Sequence, residues 1–156
     1  GTVFFGSTID LLRHNEPEIA ALATAITSAV ARHVAALPAE DRSHPLLRWR
    51  NQVPRFSGSW SVRITGEGFH VPHCHPEGQV SSACYIVLPD SIDSPECAGW
   101  LEVGVAPAEL GLDLKPLQLI RPQPGRLALF PSTLFHATRP FPAGERLTVA
   151  FDVTLT

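Results

Sequence analysis

Between Gly68 and Gly78 the chain reads GFHVPHCHPEG, with three histidines in six residues beside a cysteine and a glutamate. His73 and His75 stand two apart, and residues two apart on an extended strand share a face. Two imidazoles held this way can reach one cation without backbone strain. His70 comes three residues before His73 and is expected to face away. Cys74 is expected to do the same, as a small buried apolar residue. Glu77 follows His75 by two but lies beyond Pro76, so its direction stays open. A facial metal site needs a third ligand from a distant segment, and His136 is the one histidine after His75. Imidazole suits iron, zinc, copper or nickel, and open positions on such a site are what an O2-activating Fe(II) centre requires. The same residues also read as two loop histidines and one hydrogen-bonded core histidine, and a bare H-x-H does not choose between these.

A second group of residues lies at the end of the chain. Arg146 follows His136 by ten residues across a PFPAGE turn. A hairpin there would set Arg146 on the strand beside His136, facing the same interior. A buried guanidinium requires an anion. Thr148, two residues on, adds a hydroxyl, and the two form a fork for a carboxylate. That carboxylate belongs to a bound acid unless an internal Asp or Glu supplies it or Arg146 is solvated. Tyr85 follows the histidine segment and fits a core tyrosine with its hydroxyl at the rim. Trp60 and Trp100 read as packing residues.

Positioning these groups takes regular elements. From His14 to Pro38, apolar residues recur at Ile19, Leu22, Ala23, Ile26, Val30, Val34 and Leu37. This is a helical period, with Asn15 and Glu18 at capping-box spacing, Pro17 in the first turn and Pro38 as the stop. A connector with a short apolar piece, Leu46 to Trp49, follows. From Ser59 the period changes to two. Seven short runs rich in Val, Leu, Ile and Phe end in RLTVAFDVTLT, which predicts a double-layered β sandwich or barrel. In that last run Leu147, Val149, Phe151, Val153 and Leu155 share one face, which wants a core such as the N-terminal helix. Arg146, Thr148, Ala150, Asp152 and Thr154 share the other, which meets either solvent or a ligand-holding interior.

Bulk properties narrow the function classes. The 156 residues suit one domain, residues 1–156, with 1–56 as a helical N-terminal support and 57–156 as the β core. That length buries a real core without staples. A hydrophobic fraction of 44% with 17% charged residues fits a globular, soluble chain. A formal charge of -3 gives no nucleic-acid footprint. Cys74, Cys84 and Cys97 form no pairing framework, so a reducing cytoplasm is expected. No apolar run approaches the roughly 18 residues of a membrane span, and no signal peptide is visible, so no membrane partner is expected. The chain begins at Gly1 and has no methionine, so a piece of a longer protein is expected.

The segments SWSVRITGEGFHVPHCHPEG, VSSACYIVLP, GRLALFPSTLFHATRPF and ERLTVAFDV together resemble the bacterial 2-oxoglutarate/Fe(II)-dependent oxygenase family that carries an H-x-H-P segment. The resemblance runs from about Ser57 to the C-terminus, and in several relatives the domain follows tetratricopeptide repeats. It implies a mainly β fold, a double-stranded β-helix (a jelly-roll, cupin-like barrel) with the N-terminal helix packed on one sheet. It implies His73, His75 and His136 as metal positions, and Arg146 with Thr148 as the holders of the distal carboxylate of 2-oxoglutarate. Tyr85 is implied as a hydrogen-bond partner of that cosubstrate. The implied cofactors are Fe(II), 2-oxoglutarate and O2. The implied reaction is hydroxylation of a peptide or protein side chain or a small molecule, giving succinate and CO2. The wider superfamily uses H-x-(D/E)…H, whereas His75 stands at the carboxylate position here. The site is therefore all-histidine, or Glu77 enters as a ligand.

GFHVPHCHPEG and PGRLALFPSTLFH also resemble the two cupin motifs, which share the barrel and leave an isomerase or a 2-oxoglutarate-independent dioxygenase open. Arg146 and Thr148 inside the metal pocket favour the oxygenase; Glu77 on the metal favours the cupin. A non-catalytic binding domain is the third reading. The prime substrate and oligomeric state are not legible in the sequence.

Overall fold

The helical period of the first third yields α1 (Pro17–Ala36) in the computed structural model, which describes residues 10–156. The first nine residues of the expected N-terminal support lie outside the described residues. Pro17 opens α1 at its first position, where a missing N–H costs nothing. Glu16, not Asn15, is therefore the N-cap, and it makes no side-chain cap hydrogen bond. The expected capping box is thus absent. Leu37 closes the helix just before Pro38. Ile26, Val30 and Val34, four residues apart, form its buried face. In helical form Pro17–Ala36 is long and apolar enough to cross a membrane, contrary to the reading by runs, although a core helix meets the same criteria.

Eight strands follow among the described residues: β1 (Pro54–Thr65), β2 (Gly68–His73), β3 (Val80–Val87), β4 (Leu101–Val103), β5 (Gln118–Ile120), β6 (Leu127–Pro131), β7 (His136–Phe141) and β8 (Glu145–Leu155). They form two antiparallel four-stranded sheets, ordered β1-β8-β3-β6 and β2-β7-β4-β5. This is the double-stranded β-helix layout, with the helix on the first sheet. The outer face of that sheet carries Val80, Phe151, Val153 and Leu155, which pack with Ile26, Val30 and Val34 of α1. Burying each such side chain is worth roughly 1.5–3 kcal/mol. The β8 alternation thus resolves as the sequence suggested. Its apolar face meets the helix, and its polar face looks between the sheets.

The PFPAGE turn is not a hairpin. β7 and β8 lie in different sheets, so the chain crosses the sandwich between Phe141 and Glu145. The same holds for β6 and β7. His136 and Arg146 therefore approach from opposite walls of the interior rather than from neighbouring strands. The segment Gly68–His73, which carries the first histidines, is itself a strand paired with β7.

Candidate metal and cosubstrate site

Two sheets facing each other leave a cavity of about 270 Å³ between them. His70, His73, His75, His136, Arg146 and Thr148 all line it. His73 stands directly opposite His136 across the β2–β7 pair. His75 follows the end of β2, where its backbone N–H donates to the Ser132 carbonyl at 3.0 Å. The ring centroids of His73 and His136 are 4.3 Å apart, and His75 lies 5.2 Å from each. One ligating atom from each ring falls within 4.8 Å of the others. Two strands and one turn thus bring together imidazoles from positions more than sixty residues apart.

The hydrogen bonds of the three rings decide which nitrogen is offered. His73 Nδ1 lies 2.8 Å from the Val71 carbonyl and His136 Nδ1 lies 3.2 Å from the Leu134 carbonyl. His75 Nδ1 lies 2.9 and 2.7 Å from the two carboxylate oxygens of Asp152. Carbonyls and carboxylates only accept, so each Nδ1 carries a proton, and Nε2 is the nitrogen each ring can offer to an ion. Burial, aided by the nearby His73, holds His136 down at about 4, so that ring is neutral at pH 7. Three imidazoles with their Nδ1 atoms held by acceptors and their Nε2 atoms left to face an ion are the donor set a divalent transition metal takes.

Arg146 lies deeper and is only 2% exposed. None of the ion pairs among the described residues includes it. Its Nε has no hydrogen-bond partner, and neither has the hydroxyl of Tyr85, whose ring centroid is 5.3 Å from the guanidinium carbon. Burial pushes the Arg146 pKa down and the Tyr85 pKa up, and each partly offsets the other's shift. An arginine this buried still carries its charge. A desolvated cation with a spare N–H beside a spare O–H is a receptor for an anion that the protein itself does not supply. Thr148 is equally buried and lies two residues along the same face of β8.

The remaining sequence expectations divide. Glu77 is exposed at the apex of a turn closed by the Gly78 N–H on the His75 carbonyl at 3.1 Å, and it is not among the clustered ligands. Cys74 is half-buried, not a core residue, and is likewise outside the cluster. His70 was expected to face away, yet it lines the cavity. Two residues of β2, Val71 and Pro72, lie between His70 and His73 against one of β7, Ala137, between Thr138 and His136, so a bulge resets the alternation. Burial, with Arg146 and His73 nearby, holds His70 at about 4. Trp60 is more than packing, since it lines the cavity 6.0 Å from the His75 ring. Trp100 is a packing residue whose indole N–H donates to the Ile92 carbonyl at 2.7 Å. Asp152 was missed as a partner of His75, although it shares the polar β8 face with Arg146 and Thr148.

Residues 58–152 match the family model described as "Putative 2OG-Fe(II) oxygenase". The chain belongs to this family. Its histidine cluster and its unpaired buried cation fit the iron and 2-oxoglutarate on which the oxygenases of the family depend. No curated protein sequence matches the chain. Among solved structures, the chain is similar to the viral collagen prolyl hydroxylase of Paramecium bursaria Chlorella virus-1, in its 2-oxoglutarate complex. The TM-score is 0.58 and the identity 12%, with 100% of this chain and 80% of that one covered. It is similar to a prolyl-4-hydroxylase of Pseudomonas putida, with a TM-score of 0.53, 16% identity and coverage of 91% and 70%. It is also similar to an oxidoreductase of the 2OG-Fe(II) oxygenase family from Burkholderia pseudomallei, with a TM-score of 0.52, 15% identity and coverage of 67% and 46%. At these identities the likeness is one of fold. The chain spans less than half the length of the Burkholderia protein.

Proposed function

We propose that this oxygenase hydroxylates a peptide or protein side chain or a small molecule, with Fe(II) held by His73, His75 and His136 and 2-oxoglutarate held by Arg146. The observation that carries the reading is the buried, unpaired Arg146 in the same cavity as three convergent imidazoles. When bound, iron and 2-oxoglutarate activate O2 to oxidise a C–H bond, with succinate and CO2 as coproducts. The chain's own residues supply position and environment. His73, His75 and His136 would hold the iron through their Nε2 atoms within the cavity they line. Arg146 would neutralise the distal carboxylate of the cosubstrate, Thr148 and Tyr85 would complete its hydrogen bonds, and their burial would keep water from competing. Arg146 and Thr148 inside the pocket, with Glu77 exposed outside it, favour this reading over the cupin alternative. The same reading treats residues 1–156 as one domain working in the cytoplasm, which the three free cysteines support.

The test is anaerobic titration with Fe(II) and then 2-oxoglutarate, following the metal-to-ligand charge-transfer band in the visible spectrum. The band is expected with the wild type and is expected to be lost in His136→Ala. A metal-replete protein that binds Fe(II) but develops no band on adding 2-oxoglutarate would overturn the oxygenase reading.

A further inference from the structure

The three rings of the cluster are not equivalent. The Nδ1 protons of His73 and His136 rest on neutral backbone carbonyls, whereas that of His75 rests on a carboxylate. Asp152 reaches His75 with both oxygens at 2.9 and 2.7 Å, and this is its one ion pair among the described residues. It is itself anchored. Ser81 stands opposite Asp152 in the β3–β8 register, and its hydroxyl donates to Asp152 Oδ1 at 2.8 Å. Ser132 Oγ lies 2.9 Å beyond. Ser81 and Ser132 are 1% and 0% exposed, so the carboxylate is fixed from behind by buried hydroxyls and has little freedom to swing. A Cβ on Gly78 would lie 2.9 Å from Ser132 Oγ, so the turn after His75 is packed against the same network.

Three neutral imidazoles bring no negative charge to a divalent cation. A carboxylate hydrogen-bonded to the far nitrogen of one of them brings that charge one ring away, and makes that ring the more basic donor. We propose that Asp152 is a positioning residue for the metal. It holds His75 with Nε2 towards the ion, and through that ring it supplies the negative charge that the three-histidine set lacks. The proposal rests on the metal reading given above. It assigns Asp152 no direct contact with the ion, consistent with its absence from the clustered ligands.

Asp152→Asn tests this, because asparagine keeps the size and an acceptor oxygen but removes the charge. Anaerobic calorimetric titration with Co(II) and with Fe(II) is expected to give affinities about 10- to 100-fold weaker than wild type. The cofactor-free variant is expected to keep the wild-type far-ultraviolet circular dichroism. The Fe(III)/Fe(II) midpoint potential is expected to rise, because the lost negative charge favoured the more highly charged ion. A purely structural role would not move the potential. Asp152→Glu is expected to recover part of both effects. Should Asp152→Asn fail to fold, Ser81→Ala reads the same property, since it leaves the carboxylate charged but unanchored. Its Co(II) affinity is expected to fall several-fold. A folded Asp152→Asn with wild-type affinity and potential overturns the proposal and leaves the metal reading standing. A wild type that takes up neither ion overturns both.

Discussion

Arg146 is a single side chain that costs the fold and, in the proposed function, serves the chemistry. A guanidinium buried without a carboxylate destabilises the cofactor-free protein, because its hydration is lost and little replaces it. Arg146→Met keeps the bulk and removes the charge. Its thermal midpoint without ligands is expected to equal or exceed that of the wild type, while 2-oxoglutarate no longer raises it. Charge-assisted hydrogen bonds are worth about 1.5–3 kcal/mol each. The dissociation constant for 2-oxoglutarate is accordingly expected to rise by at least tenfold. Differential scanning fluorimetry with and without the acid checks both statements. A variant that is less stable alone but stabilised by 2-oxoglutarate as strongly as the wild type would remove Arg146 from the site.

Strand β2 carries two histidines of the cavity, and its own placement depends on a glycine. Gly68 approaches β1 so closely that a Cβ there would fall 1.8 Å from Ile64 Cγ2, and Ile64 is 1% exposed. Neither partner can yield without moving its strand. Gly68→Ala is expected to cost about 1–3 kcal/mol in urea unfolding, and to weaken metal binding as β2 shifts. The helix offers the opposite pattern. Ile26 packs on the outer face of the first sheet, away from the cavity. Ile26→Ala is expected to cost about 2–5 kcal/mol, with the Co(II) affinity of the folded protein unchanged. Equal effects of the two substitutions on metal binding would mean that the sheet does not insulate the site from the helix.

Stability of the whole molecule is tied to pH through its buried imidazoles. His70 and His136 are held near 4 in the folded chain, chiefly by burial, against an ordinary value of 6.5. Between those pH values the unfolded chain binds protons that the folded chain does not. Folding is therefore fully supported above about 6.5, weakens as the pH falls, and stops weakening below about 4. Urea unfolding of the metal-free protein is expected to show its steepest acid loss in that window, reduced in His70→Phe. A divalent metal on the three rings adds stability by mass action, with the gain growing as the logarithm of its concentration over its dissociation constant. That gain is expected to vanish on acidification, because protons compete for the same nitrogens.

Much of this molecule could be read from residue order. The helical period of Ile26, Val30 and Val34, the change to period two after Ser59, and the split of the last strand into an apolar and a polar face all follow from local alternation. Local alternation survives folding wherever one face is buried. The candidate residues His73, His75, His136, Arg146 and Thr148, which line one cavity, are visible in the sequence as types that do chemistry, and the family resemblance joins them. What sequence could not decide was which wall each one stands on. The turn before Glu145 crosses between sheets instead of pairing neighbours, and a bulge turns His70 inward. Asp152 meets His75 although 77 positions separate them. Crossing, bulge and long-range partner are set by strand pairing, a property of segments far apart in the chain, and no local period carries it.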